Sequence, residues 1–503
     1  MTTVDVLASL GAKTWCVATI VGVVLSIATT YSLCVFVEHQ CVAWLPMISD
    51  TFVPAPGNYL SRWVLNKAAL SIAGLVTVAY FDHERKSCRK FWLYLAVFCC
   101  ACLAVVGAVC ESTNKPSCEG NSTLHSASAV VFFIGMDFYC ASLALIDGAP
   151  WAGRALVAIS FAAKLRWEPG AASLAAGSSF PWLPVVEYVD TAAIMGFICV
   201  HFLKYGAPYS VAYVTSAASR ALVWPAAAGA DAAGGAAAPP SATLLAAVNV
   251  NTLLLGTLAS SAGTVALTFA ISLLDGTIDP KQDWPMISDL WWAKPDDMIS
   301  RFLVVGGVSI AQLTMIGHYF LSAPHRQGGC AKRANLALHA LAFVGLLGLD
   351  GVGVCDEKEG PLFHSTSAAI FFGSFGVYML VDGLWGNKLW KGGRRVAGLL
   401  AAVTMLAAKG TQYYTWSLAR PARWWVLPGA TSWAEDPVED PHLFGLGSSI
   451  SILEWTAWAA FLVYLYVSVT AYPAMTDVRL ALVKDSAPAT AAAKKGAAPL
   501  LAA

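Results

Sequence analysis

Apolar segments of roughly 18–25 residues recur along the whole chain, and an α-helix of this length crosses a hydrocarbon core of about 30 Å. The first segment, from about Thr14 to Val37, is too long for a signal peptide and has no convincing cleavage site, so we expect it to be retained. The ten-residue alternation typical of membrane β-barrel strands is not found in the sequence. The segments therefore predict an all-α protein that crosses a membrane many times.

The composition excludes the soluble classes of protein. Hydrophobic residues make up 57% of the 503 positions and charged residues only 12%, whereas soluble globular proteins carry about 25% charged residues. The 31 basic and 31 acidic residues balance, so no nucleic-acid partner is indicated. Neither a CxxC motif nor a Cys/His metal spacing is present, so we expect no metal and no other cofactor. Cys110 and Cys118 share one short polar loop and could pair in an oxidising lumen.

One motif occurs twice in the chain. The sequence Pro-Met-Ile-Ser-Asp ends at Asp50 and again at Asp289, an offset of 239 residues. The same offset carries His125 onto His364, and also the Phe-Phe pair and the tyrosine that follow each histidine. Chance does not give so many identities in one register, so the sequence predicts a tandem duplication.

The duplication divides the chain into four regions. We expect a first six-helix repeat over 1–220, an Ala/Gly/Pro-rich linker over 221–243, a second six-helix repeat over 244–475 and an Ala-rich tail over 476–503. Six spans per copy give about twelve transmembrane helices. Because six is an even number, both copies enter the membrane in the same sense and are parallel repeats.

The distribution of charge in the loops predicts the orientation. Lysine and arginine are concentrated in one set of loops and in the tail, so these loops and both termini are expected in the cytosol. The Pro-Met-Ile-Ser-Asp segments and the two histidine-bearing loops then face the lumen or the exterior. The sequon at Asn121 falls on the same side and is a candidate glycosylation site.

Polar residues that are present in both copies mark a shared constraint, because charged groups at membrane depth are costly. A histidine close to carboxylates suits general acid/base chemistry, and an arginine at headgroup level suits phosphate binding. The catalytic candidates are Asp50, His125 and Glu187 in the first copy and Asp289, His364 and Glu454 in the second; the headgroup-binding candidates are Ser49, Arg62, Ser288 and Arg301.

A structural interpretation stands beside the functional one. The aspartates can shape a turn or cap a helix, the arginines can extend to the membrane interface, and the glutamates can join helices. For Lys164 and Lys409, late in their apolar segments, the same extension to the interface is favoured. The remaining buried histidines, His201, His318 and His339, are expected to be satisfied within the helix bundle.

The motifs resemble those of the Frag/DRAM/Sfk family of multi-pass membrane proteins, which includes post-GPI-attachment-to-proteins-factor-like proteins and the N-terminal region of a yeast cell-wall remodelling protein. The similarity rests on Pro-x-Ile-Ser-Asp after the first span, His-x-x-x-Ala-x-x-Phe-Phe at the fourth span and a Glu-aromatic pair at the last. It implies six spans per copy, residence in the Golgi, endoplasmic reticulum, lysosome or plasma membrane, and a role in GPI-anchor lipid remodelling, autophagy or phospholipid regulation. The same six Asp, His and Glu positions are the implied site residues.

These observations together predict an endomembrane or plasma-membrane protein that binds a lipid or GPI-type glycolipid at the luminal leaflet and takes part in GPI-anchor lipid remodelling. A non-enzymatic lipid-binding regulator or structural subunit of a membrane complex is the alternative, and a transporter with parallel repeats is a third hypothesis. The expected partners are membrane lipids, GPI-anchored proteins or a glycolipid, and the subunits of such a complex. The sequence leaves the choice between enzyme and regulator open.

Overall fold

The structure is a computed structural model, and thirteen α-helices and four β-strands make up most of what it describes. The described residues are 3–42, 44–82, 89–109, 122–146, 148–167, 182–206, 209–215, 241–280, 284–291, 295–323, 326, 329–356, 359–385, 393–419, 444–471 and 478–485. The helices are α1 (Ala12–Ser32), α2 (Ile48–Thr51), α3 (Gly57–Asp82), α4 (Arg89–Ala108), α5 (Ser122–Ile146), α6 (Trp151–Lys164), α7 (Trp182–Tyr205), α8 (Val250–Leu274), α9 (Asp296–Ser322), α10 (Gly329–Val354), α11 (Pro361–Trp385), α12 (Gly393–Ala419) and α13 (Phe444–Ala471).

Ten of these helices are long and apolar enough to cross a membrane, within the part of the chain that the structure describes. The chain is therefore a multi-pass membrane protein, as the apolar segments predicted. The two remaining long helices fall short of the ten for physical reasons: α6 has only 14 residues, and α12 carries the buried polar residues Lys409 and Gln412. The prediction of about twelve spans thus corresponds to twelve long helices, of which ten qualify by length and composition.

The helices follow the same order in two halves of the chain. In the first half, α1, α3, α4, α5, α6 and α7 pack around one apolar core, and in the second half α8 to α13 pack around another. The halves meet through α3, which contacts α9 and α10, and through α4, which contacts α9. This repeated order supports the predicted tandem duplication, whose domain boundaries remain predictions.

Four short strands form a closed β-barrel, which was not part of the sequence-based expectation. Each half begins with one strand and ends with another, and the barrel order is β1-β2-β4-β3. Small side chains (Ala212, Val214, Ala481 and Val483) pack together in its interior. One strand begins in the region predicted as linker, and another lies in the region predicted as tail, so regular structure extends into both regions. The strands are β1 (Thr3–Gly11), β2 (Tyr209–Thr215), β3 (Ser241–Asn249) and β4 (Arg479–Asp485).

The barrel repeats the correspondence between the halves residue by residue. The ladder between β1 and β2 and the ladder between β3 and β4 are both antiparallel, and each contains one irregularity at the same step. All described pairs of the first ladder have a counterpart in the second. The pair Asp5–Thr215 corresponds to Thr243–Lys484, and the pair Gly11–Ser210 corresponds to Asn249–Arg479. The irregularity between Val6 and Ala8 corresponds to the one between Leu244 and Ala246.

A disulfide joins Cys34 and Cys41 at the end of the first span, next to the first Pro-Met-Ile-Ser-Asp segment. The sequence did not indicate this bond. Cys110 and Cys118, the pair suggested by the sequence, lie outside the described residues. The disulfide and the barrel lie at opposite ends of α1, because β1 leads directly into this helix and Cys34 follows it.

Candidate functional site

The two Pro-Met-Ile-Ser-Asp segments form similar tight turns in the two halves. In the first half the Oδ2 atom of Asp50 accepts a hydrogen bond from the Met47 backbone N–H at 3.3 Å. In the second half Asp289 accepts from the Met286 N–H at 2.6 Å. An aspartate carboxylate that accepts a hydrogen bond from the backbone N–H three residues earlier stabilises the turn itself. The structural interpretation of the aspartates is therefore supported, and their predicted catalytic role stays a prediction.

The two histidines also make equivalent contacts. Nδ1 of His125 lies 2.6 Å from the carbonyl oxygen of Val109, and Nδ1 of His364 lies 2.6 Å from that of Cys355. Because a carbonyl oxygen only accepts, Nδ1 must carry the proton, and Nε2 of the neutral ring is then a hydrogen-bond acceptor. Both rings are buried and are oriented by the carbonyl that follows the preceding helix.

The two glutamates differ between the halves. The Oε2 atom of Glu187 accepts from the Ile48 N–H at 2.8 Å, which ties α7 to the turn of its own half. Glu454 instead lies 3.5 Å from Nζ of Lys409, and the neighbouring Trp455 donates to the Pro285 carbonyl at 2.8 Å. Both glutamates are thus joined to other elements, as the structural interpretation expected, but by different partners.

A cavity in the first half brings three of the predicted residues together. Ser49, His125 and Glu187 line one part of its wall, and about 610 Å³ inside it is not occupied by protein atoms. We call it the first-half cavity. The rest of the wall is largely apolar and comes from α1, α3, α4, α5 and α7. The apolar residues are Val23, Ile27, Ile48, Phe52, Leu65, Leu103, Val106, Ala129, Phe132, Phe133 and Met195.

A smaller recess of about 220 Å³ continues from the first-half cavity towards Arg62. Ser49 and His125 line both spaces, so they stand at the junction between them. The Oγ atom of Ser49 is buried and has no hydrogen-bond partner among the described residues. A buried hydroxyl without a partner is uncommon and costs free energy, so Ser49 is available to a bound ligand. Asp50 is exposed and is not among the residues that line either space.

The second half has a cavity at the corresponding place, but its lining is different. It encloses about 530 Å³ and is lined by Val304, Phe371 and Trp291, which occupy the positions of Leu65, Phe132 and Phe52. We call it the second-half cavity. None of the predicted residues Ser288, His364 and Glu454 is among its lining residues. The polar group therefore borders the first-half cavity, whereas its counterparts do not border the second-half cavity.

The two arginines have partners other than a lipid. Arg62 makes a two-point ion pair with Glu359, and Arg301 binds the same carboxylate at 2.9 Å. Arg301 also lies 2.9 Å from Asp356 and 3.2 Å from Asp297. Both guanidinium groups are almost fully buried. The structure thus gives the predicted headgroup-binding arginines a place in an ionic cluster between the two halves, where only Arg62 also borders a recess.

The charge of this cluster shifts the pKa values of its loop carboxylates. Burial alone would raise the pKa of Glu359, but the two arginines lower it below its ordinary value. For Asp356, burial together with the negative charge of Glu359 raises the pKa, and Arg301 offsets only part of this. Glu359 is therefore the ionised carboxylate on which the arginines converge.

Sequence reasoning misjudged the lysines and missed several buried polar groups. Lys164 does not extend to the interface but pairs with Asp137 and Asp190, each at 2.5 Å. Lys409 pairs with Glu454 instead of reaching the interface. In the second half, Arg326 binds Asp382 at 2.5 Å, and His318 and His339 bond each other within the bundle, as expected of satisfied histidines. Lysine, arginine and acidic residues inside apolar segments were the available signal, since such residues need partners in a membrane.

Asn121 lies outside the described residues, so the predicted glycosylation site has no structural description. Among the residues that the structure does describe, no group of three or more His, Cys, Asp or Glu side chains is arranged to hold a metal ion.

Comparison with known proteins relates the second half of the chain to a family. Residues 249–470 match the model of the Frag1/DRAM/Sfk1/Cwh43P N-terminal domain. The match covers the second half from the start of its first helix to the end of its last. The searches of curated proteins and of solved structures returned no significant match. The second half of the chain is therefore similar to the Frag1/DRAM/Sfk1 family, which supports the resemblance that the motifs predicted.

Proposed function

We propose that this membrane protein, whose second half is similar to the Frag1/DRAM/Sfk1 family, binds a phospholipid or GPI-type glycolipid in the first-half cavity and thereby takes part in GPI-anchor lipid remodelling. The observation that carries the proposal is the lining of that cavity. Polar groups of Ser49, His125 and Glu187 stand beside a mostly apolar wall of 11 hydrophobic side chains. A lipid has the same division between a polar headgroup and an apolar chain.

The available hydrogen-bonding groups suit a headgroup with hydroxyls or a phosphate. The Ser49 hydroxyl can donate to a phosphate oxygen, and Nε2 of His125 can accept from a hydroxyl or, when protonated, donate to a phosphate. Arg62 borders the smaller recess, with its guanidinium paired to Glu359.

The non-enzymatic alternative has its own support. Asp50 and Glu187, the two carboxylates of the predicted catalytic group, both accept hydrogen bonds from backbone N–H groups. The ring of His125 is oriented by a backbone carbonyl and not by a carboxylate. A regulator or complex subunit would hold a lipid in this cavity without changing it, and the second experiment below separates the two functions.

The first experiment measures binding. The purified protein is placed in phosphatidylcholine vesicles that contain a phosphatidylinositol with a diazirine in its acyl chain, and the cross-linked peptides are mapped by mass spectrometry. We expect labelling on α4, α5 and α7, and a several-fold loss in His125→Ala. His364→Ala is the matched control, because it loses an equivalent hydrogen bond but is not among the residues that line the second-half cavity. Equal labelling of the wild type and His125→Ala would overturn the proposal.

The second experiment measures remodelling. Cells that lack the protein are complemented with the wild type or with His125→Ala, and the acyl chains of their GPI-anchored proteins are analysed by mass spectrometry. Participation in remodelling predicts an altered chain composition without the protein and with the variant. Unaltered chains together with normal lipid labelling would favour the regulator over a part in remodelling.

For the orientation, we propose that both termini and the β-barrel are cytosolic and that the first-half cavity opens towards the lumen of the endoplasmic reticulum or Golgi, or the exterior. The Cys34–Cys41 disulfide supports this orientation, because disulfides persist in oxidising compartments. A glycosidase should then change the electrophoretic mobility through Asn121. An epitope placed after Ala503 should be digested by protease added to sealed microsomes, and its protection would contradict the orientation.

A further inference from the structure

Three helices of the first half bring two carboxyl groups, one ammonium group and one hydroxyl together inside the membrane. Asp137 lies on α5, Ser160 and Lys164 on α6, and Asp190 on α7. The two aspartates and the serine are almost completely buried, with exposed fractions of 1% or less. Nζ of Lys164 lies 2.5 Å from an oxygen of each aspartate.

The hydroxyl of Ser160 determines the number of protons in this cluster. Its Oγ atom is 2.5 Å from Oδ1 of Asp137 and is also in hydrogen-bond contact with Oδ1 of Asp190. A serine hydroxyl has one hydrogen and can donate to only one acceptor. With both carboxylates ionised, one of these two contacts would hold no hydrogen and would place two oxygen lone pairs against each other.

We infer that Asp137 and Asp190 hold one proton between them, so that the first half contains a proton-binding site inside the membrane. The protonated carboxyl donates to Ser160 Oγ, and the serine hydroxyl donates to the ionised carboxylate. One Lys164 cation, one carboxylate and one carboxylic acid then sum to zero charge. A neutral cluster is what the low dielectric of a membrane interior favours.

The proton-binding site lies directly behind the wall of the first-half cavity. The ring of Phe133, which lines the cavity, lies 5.6 Å from Nζ of Lys164. Thr191, the neighbour of Asp190, also lines the cavity. Among the described residues, the thiol of Cys140 on α5 also faces Asp137, Lys164 and Asp190, and it is in turn close to Cys99 on α4. Loss of the shared proton would therefore place one net negative charge beside the cavity.

The second half offers a matched control. Asp382 pairs with Arg326 and accepts a hydrogen bond from the Tyr464 hydroxyl at 3.1 Å. The guanidinium of Arg326 and the hydroxyl of Tyr464 each bring a hydrogen to this carboxylate, so these two contacts need no additional proton. Asp382→Asn removes a buried carboxylate of similar exposure and should leave Asp137 and Asp190 unaffected.

Infrared difference spectroscopy on the full-length protein in nanodiscs at neutral pH tests the inference directly. We expect a carboxylic-acid C=O band in the wild type that is lost in Asp137→Asn and in Asp190→Asn and is retained in Asp382→Asn. Retention of the whole band in both single variants would show that neither carboxyl is protonated and would overturn the inference.

Thermal unfolding provides the second test, because an asparagine imitates a protonated aspartate. Either single variant should change the melting temperature little, since it replaces the neutral member of the pair. The double variant Asp137→Asn/Asp190→Asn leaves Lys164 without a carboxylate and should be strongly destabilised, and adding Lys164→Met should restore much of the loss. If each single variant is as unstable as the double variant, or does not fold, both aspartates are ionised and the inference is wrong.

Discussion

The two halves of the molecule share a frame but differ in their charged groups. In both, the aspartate of the turn bonds the backbone three residues earlier and the histidine bonds a carbonyl after the preceding helix. The polar cluster inside the first half is Asp137, Lys164 and Asp190, whereas that of the second half contains Arg326 and Asp382. The hydrogen bonds that join the aspartates and histidines to the backbone are thus the same in both halves, whereas these buried charged residues differ between them.

This difference also bears on the transporter hypothesis. A carrier with parallel repeats would place charged groups at corresponding depths and positions of both halves. Asp137 corresponds to Gly376 at the offset of 239 residues, and Asp382 corresponds to Leu143. These two aspartates therefore do not correspond. A lysine–carboxylate pair nevertheless joins the fifth and sixth long helices of both halves, Lys164 with Asp190 and Lys409 with Glu454.

The largest expected effect concerns the β-barrel, which is formed by strands from both halves. Truncation of the chain after Pro473 removes β4, which pairs with both β2 and β3. The open barrel exposes unpaired strand edges, so we expect almost complete loss of monodisperse protein in size-exclusion chromatography. A control truncation after Asp485 keeps all four strands and should elute like the wild type. Normal elution without β4 would show that the halves hold together without the barrel.

The next effect concerns the contact between the halves. Glu359→Gln leaves the buried Arg62 and Arg301 without their common carboxylate, and such losses cost about 3–5 kcal/mol in unfolding free energy. Glu454→Gln is the matched control, because Glu454 lies 3.5 Å from a single lysine and should cost less. The measurement is thermal or denaturant unfolding in detergent. An equal effect of both variants would mean that the ionic cluster does not hold the halves together.

The same variant gives a pH dependence with a defined sign. The pKa of Glu359 is lowered in the folded protein, so its contribution to stability is fully present above the ordinary pKa of 4.5 and is lost as the pH falls through the lowered value. The stability difference between the wild type and Glu359→Gln should therefore shrink in acid. A difference that grows as the pH falls would show that this carboxylate is not ionised in the folded protein.

A smaller effect separates structure from binding at the histidines. His125→Ala and His364→Ala each remove one buried hydrogen bond to a carbonyl, so both should lower the unfolding free energy by a similar amount, about 1–3 kcal/mol. Lipid labelling should fall for His125→Ala alone, because His125 lines the first-half cavity and His364 does not line the second-half cavity. If labelling fell in both variants in proportion to their loss of stability, the two halves would be functionally alike.

The smallest effect tests the equality of the two turns. Asp50→Ala and Asp289→Ala each remove a carboxylate that bonds a backbone N–H, a contact of the type worth about 0.5–2 kcal/mol at helix ends. We expect the same modest loss of stability for both and normal lipid labelling for both. A selective loss of labelling in Asp50→Ala would restore the predicted catalytic role of this residue.

The sequence was most informative at the positions that occur in both halves, because the two halves can be compared with each other. Because the duplication acts as an internal alignment, it identified Ser49, His125 and Glu187, and the structure places all three on one cavity wall. It did not identify Glu359 as the partner of Arg62, because this contact joins residues 297 positions apart in different halves. The spacing of residues within one segment does not indicate an ion pair with a residue so far away in the sequence.

The strands were missed for a different physical reason. β3 reads Ser-Ala-Thr-Leu-Leu-Ala-Ala-Val-Asn and follows an Ala/Gly/Pro-rich stretch, so its composition is that of a linker. β1 runs directly into the first apolar segment, and Gly11, the last residue of the strand, is the N-cap of the helix. Only pairing with the other three strands makes these short segments regular, and that pairing depends on the assembled halves.

The closed barrel has a consequence for the ancestry of the chain. Its two ladders between halves, β1 with β3 and β2 with β4, are antiparallel and join equivalent strands, which is the self-complementary pairing that a twofold homodimer makes. Two identical strand–six-helix–strand subunits would therefore close the same barrel without any covalent connection. On the predicted duplication, the single chain would be a fused dimer, whose halves need not carry the same polar site, whereas a homodimer carries every site twice.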